Sequence, residues 1–287
     1  MEIKFSVVGA LIYLAMLLYV ASALVALVRW IQRLGAEDLP GSAGSRPEDR
    51  RLGRVVKVLY GVGFLAAATA LVLRGYEVEH VPLQNLFEVC LCLGTLIYPI
   101  SLFCRRFLKV GGEGVDAVIG FIVLFPAGFI FSEEAQRLPP ALQSFLFVPH
   151  VSAYMLSYVI LAKAAVPAFA RLVWREGPAE AGLVPHELAA YRMTMLGFPL
   201  LTLGLVLGAW WGKLAWGDYW NWDPKELWSL VSWLVFLGYL HFRSMYGTRF
   251  ARASAALVVV GLVAIVITLL WVNLGKMFAG GLHSYAA

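Results

Sequence analysis

Cysteine and charge are both scarce in this chain of 287 residues. It has three Cys, and none belongs to a Cys-x-x-Cys-His motif, which excludes covalent attachment of haem to the chain itself. Charged residues make up 14% of the chain, hydrophobic residues make up 61%, and the mean hydropathy is +0.76. These values exclude an ordinary soluble globular protein.

The three cysteines do not form an evident disulfide framework. Cys90 and Cys92 are two residues apart on a predicted helix, about 200° around its axis, so they do not pair readily with each other. Cys104 falls near the other end of the same helix. All three are interpreted as small buried residues.

The chain contains several long apolar runs. Eight stretches of about 17–25 residues are each long enough to span a bilayer. The first has no small-residue cleavage site, which favours a retained helix over a signal peptide. The sequence therefore predicts an all-α polytopic membrane protein with about eight transmembrane helices. The stretches cover roughly 5–28, 55–73, 86–104, 115–131, 150–173, 192–211, 226–242 and 252–275.

Basic residues concentrate in alternate connections between these stretches. The connection 29–57 alone carries seven Lys or Arg residues, and those near 105–109, 171–192 and 243–252 carry most of the others. The positive-inside rule places these connections in the cytoplasm and both termini outside. The net charge of +5 is then mostly a topology signal. No basic patch indicates a nucleic-acid partner.

No shift in composition marks a domain boundary, so residues 1–287 are predicted to form one membrane domain. Residues 30–54, rich in Gly, Ser and Pro, are expected to form a flexible cytoplasmic loop. Residues 205–228 are expected to form an external loop rich in Trp.

Tryptophan is concentrated in that second loop, since seven of the ten Trp lie between positions 210 and 233. An indole has a large flat apolar face and one N–H, so the segment offers stackable surface to a flat hydrophobic ligand. The alternative is an interfacial Trp belt, but a belt spreads one or two aromatics over each helix end. The candidate ligand-binding residues are Trp210, Trp211, Trp216, Trp220 and Trp222.

Asp223 follows directly and has a structural explanation. The run Asp223-Pro224-Lys225-Glu226 predicts an N-cap, a proline at the first helical position and a capping box. Capping is favoured over a chemical role for Asp223, although it remains a candidate for ligand binding.

Two histidines, His150 and His283, are predicted at the same outer face as the Trp-rich segment. Haem iron takes axial ligands from opposite faces of the ring, and neutral imidazole suits it. Two outer histidines and an aromatic floor therefore predict an external bis-His haem site. The alternative is an interfacial His at a helix start and a stray His in a tail, and the residues alone weigh the two about equally.

A third histidine, His241, ends the seventh stretch near the cytoplasmic side. An ionisable residue within a span is a functional hypothesis by default, although at the end of a span it is equally consistent with an interfacial residue. As a haem ligand it would need a second ligand from a partner subunit, because no other His is predicted at that depth. His80 and His186 are interpreted as ordinary loop residues.

Together these residues resemble a known family. The run from Trp211 to Trp228, including its Asp-Pro-Lys-Glu continuation, closely resembles the WWD segment of the haem-handling protein superfamily. Residues 81–88, 149–151, 239–243 and 281–285 are similar to elements of its CcsA/ResC branch, from cytochrome c biogenesis system II. The resemblance runs from about residue 80 to the end, and the first two helices share only hydropathy.

The resemblance implies that His150 and His283 are the axial ligands of an external haem b beside the Trp-rich segment. It also implies that His241 is a transmembrane haem ligand whose counterpart comes from a CcsB/ResB subunit. The implied function is the haem-handling subunit of a cytochrome c synthase, or haem lyase. The resemblance further implies that haem moves from the cytoplasmic side of the plasma membrane to the outer platform for attachment to apocytochrome c. No catalytic residue is identified, so whether this chain is itself an enzyme stays open.

Two other functions compete with this one. A haem transporter or chaperone without synthase activity, like CcmC, is the main alternative, and the eight stretches and the Asp-Pro-Lys-Glu run argue against it. A b-type electron-transfer protein usually carries both ligands on facing helices of one chain. No second His lies near His241 to support that hypothesis.

Overall fold

The computed structural model describes residues 4–34, 47–174 and 182–271. These ranges contain α-helices at all eight predicted stretches and no strand. Short π-helical turns follow the third and eighth helices, at Cys104–Leu108 and Ile267–Trp271, and a 3₁₀ turn spans Pro140–Leu142. The α-helices are α1 (Val7–Leu34), α2 (Pro47–Val78), α3 (Leu86–Phe103), α4 (Glu113–Phe129), α5 (Phe147–Val173), α6 (His186–Trp216), α7 (Pro224–Tyr246) and α8 (Ala251–Val266).

Six helical segments are long and apolar enough to cross a membrane: α1, α2, α5 and α6, and also α3 and α8 when each is taken together with the π-helical turn that follows it. This confirms an all-α, multi-pass membrane protein. The helix α4 has only 17 residues, and α7 carries charged residues in both its first and last turns. Eight membrane crossings therefore stay a prediction, although eight helices are present in the described residues.

The described residues divide into two compact units. The first comprises those of Met1–Pro82, Leu86–Leu102 and Gly111–Gln136, and the second comprises those of Leu83–Asn85, Phe103–Val110 and Arg137–Ala287. The first unit contains α1, α2, nearly all of α3, and α4. The second contains α5 to α8. The prediction of a single domain over 1–287 is not decided by this division.

Tyr19 of α1 organises the packing of the first unit. A Cβ added at Gly63 of α2 or at Gly120 of α4 would lie 2.7 Å from the Tyr19 ring, so glycine is needed at both positions. The Tyr19 hydroxyl donates to the carbonyl of Gly94 in α3, at 3.3 Å. Small residues that admit a large neighbour are the usual means of close helix contact in membranes.

A buried ion pair lies at one end of the first unit. Arg74 donates through Nε and Nη2 to Oε1 of Glu88, at 3.1 and 3.0 Å, and the two side chains are 2% and 1% exposed. Arg74 also donates to the carbonyl of Glu133 at 2.7 Å, and Lys4 donates to the carbonyl of Phe131. The predicted apolar stretch ends at residue 73, but α2 continues to Val78, and the ion pair accounts for the burial of both charges.

Within the second unit, α5 and α6 pack as antiparallel neighbours through glycines. A Cβ at Gly197 would lie 2.8 Å from Leu161, and one at Gly204 would lie 3.0 Å from the ring of Tyr154. The contacts run in opposite directions along the two helices, which fixes their register. This register determines what lies opposite the first turn of α5.

Both predicted loops are shorter than expected. Residues 47–54 belong to α2, so only 35–46 of the expected cytoplasmic loop lie between helices, and they fall outside the described residues. In the Trp-rich segment, α6 continues to Trp216 and α7 begins at Pro224. Indoles can pack on a helix end as well as in a loop, so Trp content did not reveal where the helix stops.

Candidate functional site

The Trp-rich segment is a tight helix–loop–helix connection. Gly217 ends α6 with a φ of +93°, a left-handed conformation that glycine adopts without strain, and its N–H donates to the carbonyl of Lys213. The loop then covers only residues 217–223. Trp222, just before α7, also has a positive φ of 58°, which is uncommon for a residue with a side chain.

The predicted capping box at the start of α7 is confirmed. Oδ1 of Asp223 accepts from the backbone N–H of Lys225 at 2.9 Å, and Oε2 of Glu226 accepts from the N–H of Asp223 at 3.2 Å. Glu226 also accepts from the N–H of Asn221 at 2.8 Å. Asp223 is buried and performs this structural task whatever else it does.

The tryptophans of the segment fall into two groups by exposure. Trp210 and Trp222 are 47% and 67% exposed, and Tyr219 of the same segment is also exposed. Trp216 and Trp220 are half-buried. Trp211 is only 2% exposed, so neither of its faces is available for a ligand to stack on. The exposed and half-buried rings are the ones suited to an aromatic platform.

Trp211 is held on several sides. Its indole N–H donates to the carbonyl of Ala141 at 2.9 Å. Its ring packs at 4.8 Å against Trp216, edge to face, and at 6.3 Å against Phe147. The ring of His150 also stacks on it, with a centroid distance of 5.6 Å and an interplanar angle of 24°.

His150 lies in the first turn of α5 with its ring against α6. Its Nδ1 is 2.9 Å from the carbonyl of Gly204, and because a carbonyl only accepts, Nδ1 carries the hydrogen. In the neutral ring Nε2 then has the lone pair, which is the form that coordinates a metal. The ring also lies directly over Gly208, where a Cβ would be 2.5 Å from Cε1.

His241 is exposed on α7, one turn before the helix ends. Its Nδ1 is 3.0 Å from the carbonyl of Leu237, which again assigns the lone pair of the neutral ring to Nε2. Arg243, two residues on, forms an ion pair with Glu187. An exposed imidazole on the surface of the second unit has the accessibility that a ligand shared with another subunit requires.

The other histidines are placed differently. His283 lies outside the described residues, so the expected pairing of His150 with His283 stays a prediction. His186 is the first residue of α6, and Nδ1 of His80 lies 3.0 Å from the carbonyl of Val81. Among the residues that the structure describes, no three His, Cys, Asp or Glu side chains group as a metal site.

The support around His150 involves a glycine of α6. Gly208 admits the His150 ring, because any side chain at this position would collide with the imidazole. The usable signal was the spacing of Gly204, Gly208 and Gly212, since residues four apart share one helix face.

Comparison with known proteins assigns the chain to a family. Residues 83–278 match the family described as Cytochrome C assembly protein. The cytochrome c biogenesis protein CcsA of Synechococcus sp. (strain CC9902) is 33% identical over 284 residues, which cover 86% of this chain and 91% of that protein. The CcsA of Guillardia theta is 36% identical over 273 residues, covering 82% and 88%.

This chain belongs to the CcsA family of cytochrome c assembly proteins. The predicted resemblance is therefore confirmed. The family match begins at residue 83, within residues 81–88, which were part of the evidence for that resemblance. Among solved structures, the cytochrome c haem lyase CcmF matches with a TM-score of 0.68 and 20% identity, over 94% of this chain and 48% of that one. The likeness shows that this CcsA-family chain shares its fold with about half of CcmF.

Proposed function

We propose that this chain is the haem-handling subunit of a cytochrome c synthase of system II, with haem b as its cargo and apocytochrome c as its protein substrate. Membership of the CcsA family supports a role in cytochrome c maturation. The observation that carries the proposal is the arrangement in the second unit: the hydrogen-bonded His150 ring lies against Trp211, in the segment that exposes Trp210 and Trp222.

The outer haem site consists of His150 and His283 as axial ligands, and of an aromatic platform. The described residues fit such a ligand, because the donor atom of His150 is Nε2 and the platform rings are large, flat and apolar. Asp223 supports the platform by fixing where α7 begins. The platform residues are Trp210, Trp216, Trp220 and Trp222.

A second haem site lies at His241. Its exposed position on α7 supports coordination shared with a histidine of a CcsB/ResB-type partner subunit, since bis-His ligation needs one imidazole on each side of the iron. Haem collected there from the cytoplasmic side passes to the outer platform. In this arrangement the protein lies in the plasma membrane, and its Trp-rich segment is on the side away from the cytoplasm.

The chemistry at the platform is an addition. Each Cys thiol of the substrate's Cys-x-x-Cys-His segment adds across one vinyl group of haem, so that a C–S bond forms, the S–H bond breaks and the hydrogen ends on the second vinyl carbon. No group leaves and the addition needs no oxidant. The chain contributes by holding haem and substrate in reacting geometry and by occupying the axial positions until the substrate His replaces one.

The test is covalent attachment in cells that lack their own cytochrome c assembly proteins. The chain is expressed with a CcsB/ResB-type partner and a secreted apocytochrome carrying Cys-x-x-Cys-His, and attached haem is measured by peroxidase staining of denaturing gels. We expect attachment with the wild-type pair, and its loss with His150→Ala or with His241→Ala. His186→Ala is the matched control and should attach haem normally.

Two results contradict the proposal in different ways. Normal attachment with His150→Ala would reject the outer site. Haem bound by the purified pair without any attachment, under conditions where the assay's positive control succeeds, would favour a haem transporter or chaperone without synthase activity.

A further inference from the structure

Three glycines of α6 receive three side chains of α5. Leu161 lies against Gly197, Tyr154 against Gly204 and His150 against Gly208. The last of these contacts allows the least freedom, because a Cβ at position 208 would lie 2.5 Å from Cε1 and 2.9 Å from Nδ1 of the imidazole. The α6 backbone is therefore the wall against which the His150 ring is placed.

Two further contacts determine the ring's orientation. The Nδ1···O contact with Gly204 fixes the edge of the ring that faces α6. The Trp211 indole stacks on the ring at 24° and limits its tilt. Tyr154 meets the ring edge to face with centroids 5.1 Å apart, which closes a further side.

Trp211 is in turn anchored independently of His150. Its N–H bond to Ala141 ties it to the 3₁₀ turn before α5, and Trp216 packs against it one turn along α6. A stacked partner that is itself fixed on other sides acts as a rigid support. An exposed ring such as Trp222 has no comparable burial.

We propose that Trp211, together with Gly208, is a positioning element for His150, and that Trp211 takes no part in the stacking surface for haem. It holds the imidazole in one plane and preserves the Nδ1–H···Gly204 contact, so that Nε2 is the coordinating atom. The coordinating role of Nε2 rests on the proposed function, whereas the orientation of the ring does not.

This assignment has a chemical consequence. Groups that orient a metal-ligating histidine fix its tautomer and ring plane, and their loss typically weakens metal binding by about 10–100-fold. Trp211 variants should therefore change the tautomer and orientation of the His150 imidazole. Variants of the exposed tryptophans should instead reduce the contact area for the porphyrin. The two kinds of variant are distinguishable before any haem is added.

The experiment uses the full-length, haem-free chain in detergent, with ¹⁵N-labelled histidine. The His150 ring signals are assigned by their disappearance in His150→Gln. Ring nitrogen shifts distinguish the Nδ1–H tautomer from the Nε2–H tautomer. Each variant is then titrated with haem, and binding is followed by the absorption spectrum. The affinity reported is that of the haem site that is absent in His150→Gln.

We expect the wild-type His150 to be in the Nδ1–H form. Trp211→Leu should yield a mixture of tautomers and about 10–100-fold weaker haem binding. Trp211→Phe retains a flat ring and should restore much of the wild-type tautomer. Trp222→Leu should keep the Nδ1–H form while weakening haem binding.

Gly208→Ala tests the same support from the other side and does not depend on how well Trp211 variants fold. Its new Cβ must displace the imidazole and so disturb the tautomer. Gly238→Ala is the matched control, since it adds the same methyl to a helix where nothing lies within 4 Å. We expect this control to leave the His150 signals unchanged.

Retention of the Nδ1–H form and of full haem affinity in both Trp211→Leu and Gly208→Ala would overturn the inference. Failure of the proposed function appears differently. If His150→Gln binds haem as tightly as the wild type, His150 is not a ligand, and the signals of the haem-free chain still decide whether Trp211 and Gly208 orient its ring.

Discussion

The amine of Lys225 lies half-buried in the first turn of α7, outside the six candidate spans. Burial lowers the pKa of Lys225 from 10.5 to about 8, and the negative charge of Asp223 opposes the shift by raising it. We therefore predict that acylation of Lys225, followed by mass spectrometry across a pH series, is half-maximal near pH 8. Asp223→Asn removes the opposing charge and should move the midpoint below the wild-type value.

The same group gives stability a pH dependence with a defined sign. Between pH 8 and 10.5 the unfolded chain holds the Lys225 proton and the folded chain has lost it, so the free energy of unfolding rises with pH across this window. Lys225→Met should flatten that rise. In the acylation experiment, the exposed Lys213 is labelled in the same samples as a reference for the reagent. An acylation midpoint for Lys225 that is unchanged or higher in Asp223→Asn would contradict the assigned effect of the Asp223 charge.

The residue types of the candidate site could be predicted from the sequence, but the different roles of the individual tryptophans could not. The sequence predicts a Trp-rich segment and, through the positive-inside rule, a histidine at the same outer face. The stacking of His150 on Trp211 is seen only in the structure. The sequence does not separate Trp210 from Trp211, since neighbours in a helix point about 100° apart and only the packing of α5 decides which one is buried. The capping role of Asp223 was readable because its partners are local.

At the scale of single elements, the cap of α7 determines where the Trp-rich loop ends. We predict that Asp223→Ala weakens the first turn by about 1 kcal/mol, the usual cost of losing such an N-cap. Amide hydrogen exchange at Lys225 and Glu226 should then be roughly fivefold faster. Asp218→Ala makes the same substitution at an exposed loop position and should leave these rates unchanged. Equal rates in both variants would show that the cap contributes nothing.

The junction of α2 and α3 depends on the buried pair of Arg74 and Glu88. Glu88→Ala leaves the guanidinium buried without this carboxylate, which typically costs about 3–5 kcal/mol. Glu77, whose carboxylate is 3.6 Å from the same guanidinium but 48% exposed, is the matched control, and Glu77→Ala should cost at most about 1 kcal/mol. Thermal unfolding in detergent should show a much larger fall in Tm for Glu88→Ala.

Replacing both partners should be milder than replacing one. The double variant Arg74→Met with Glu88→Leu removes both charges and should recover much of the Tm lost in Glu88→Ala, because no uncompensated charge remains. Similar Tm values for Glu88→Ala and Glu77→Ala would contradict the ion-pair account. The signal in the sequence was a lone basic residue near the end of an apolar stretch, but its partner on the next helix was visible only in three dimensions.

For the whole molecule, hydropathy predicted all eight helices and the all-α class, because the length of an apolar run can be read directly from the sequence. It did not predict the ends of the helices. The charged first turns of α2 and α6 extend beyond their apolar runs, and Arg74 lies within a helix because Glu88 compensates its charge. The pairing of His150 with α6 likewise depends on helix register, which hydropathy does not encode.

The predicted orientation can be tested with single cysteines. In a chain with Cys90, Cys92 and Cys104 replaced by Ser, we expect a membrane-impermeant maleimide to label Asp218→Cys in intact cells. Thr248→Cys, beyond the other end of α7, should be labelled only after the cells are permeabilised. Labelling of both sites from outside would mean that α7 does not cross the membrane, and labelling of Thr248→Cys alone would reverse the orientation.

The central claim is that His150 coordinates haem beside the exposed tryptophans, and haem retention by the purified complex with its partner subunit tests it most directly. The account predicts that His150→Ala weakens retention at this site more than the loss of an orienting neighbour does, which is about 10–100-fold. Added imidazole, which can fill the vacated space, should restore the absorption spectrum. His186→Ala should match the wild type. Haem content and spectrum unchanged in His150→Ala, with no response to imidazole, would contradict the account.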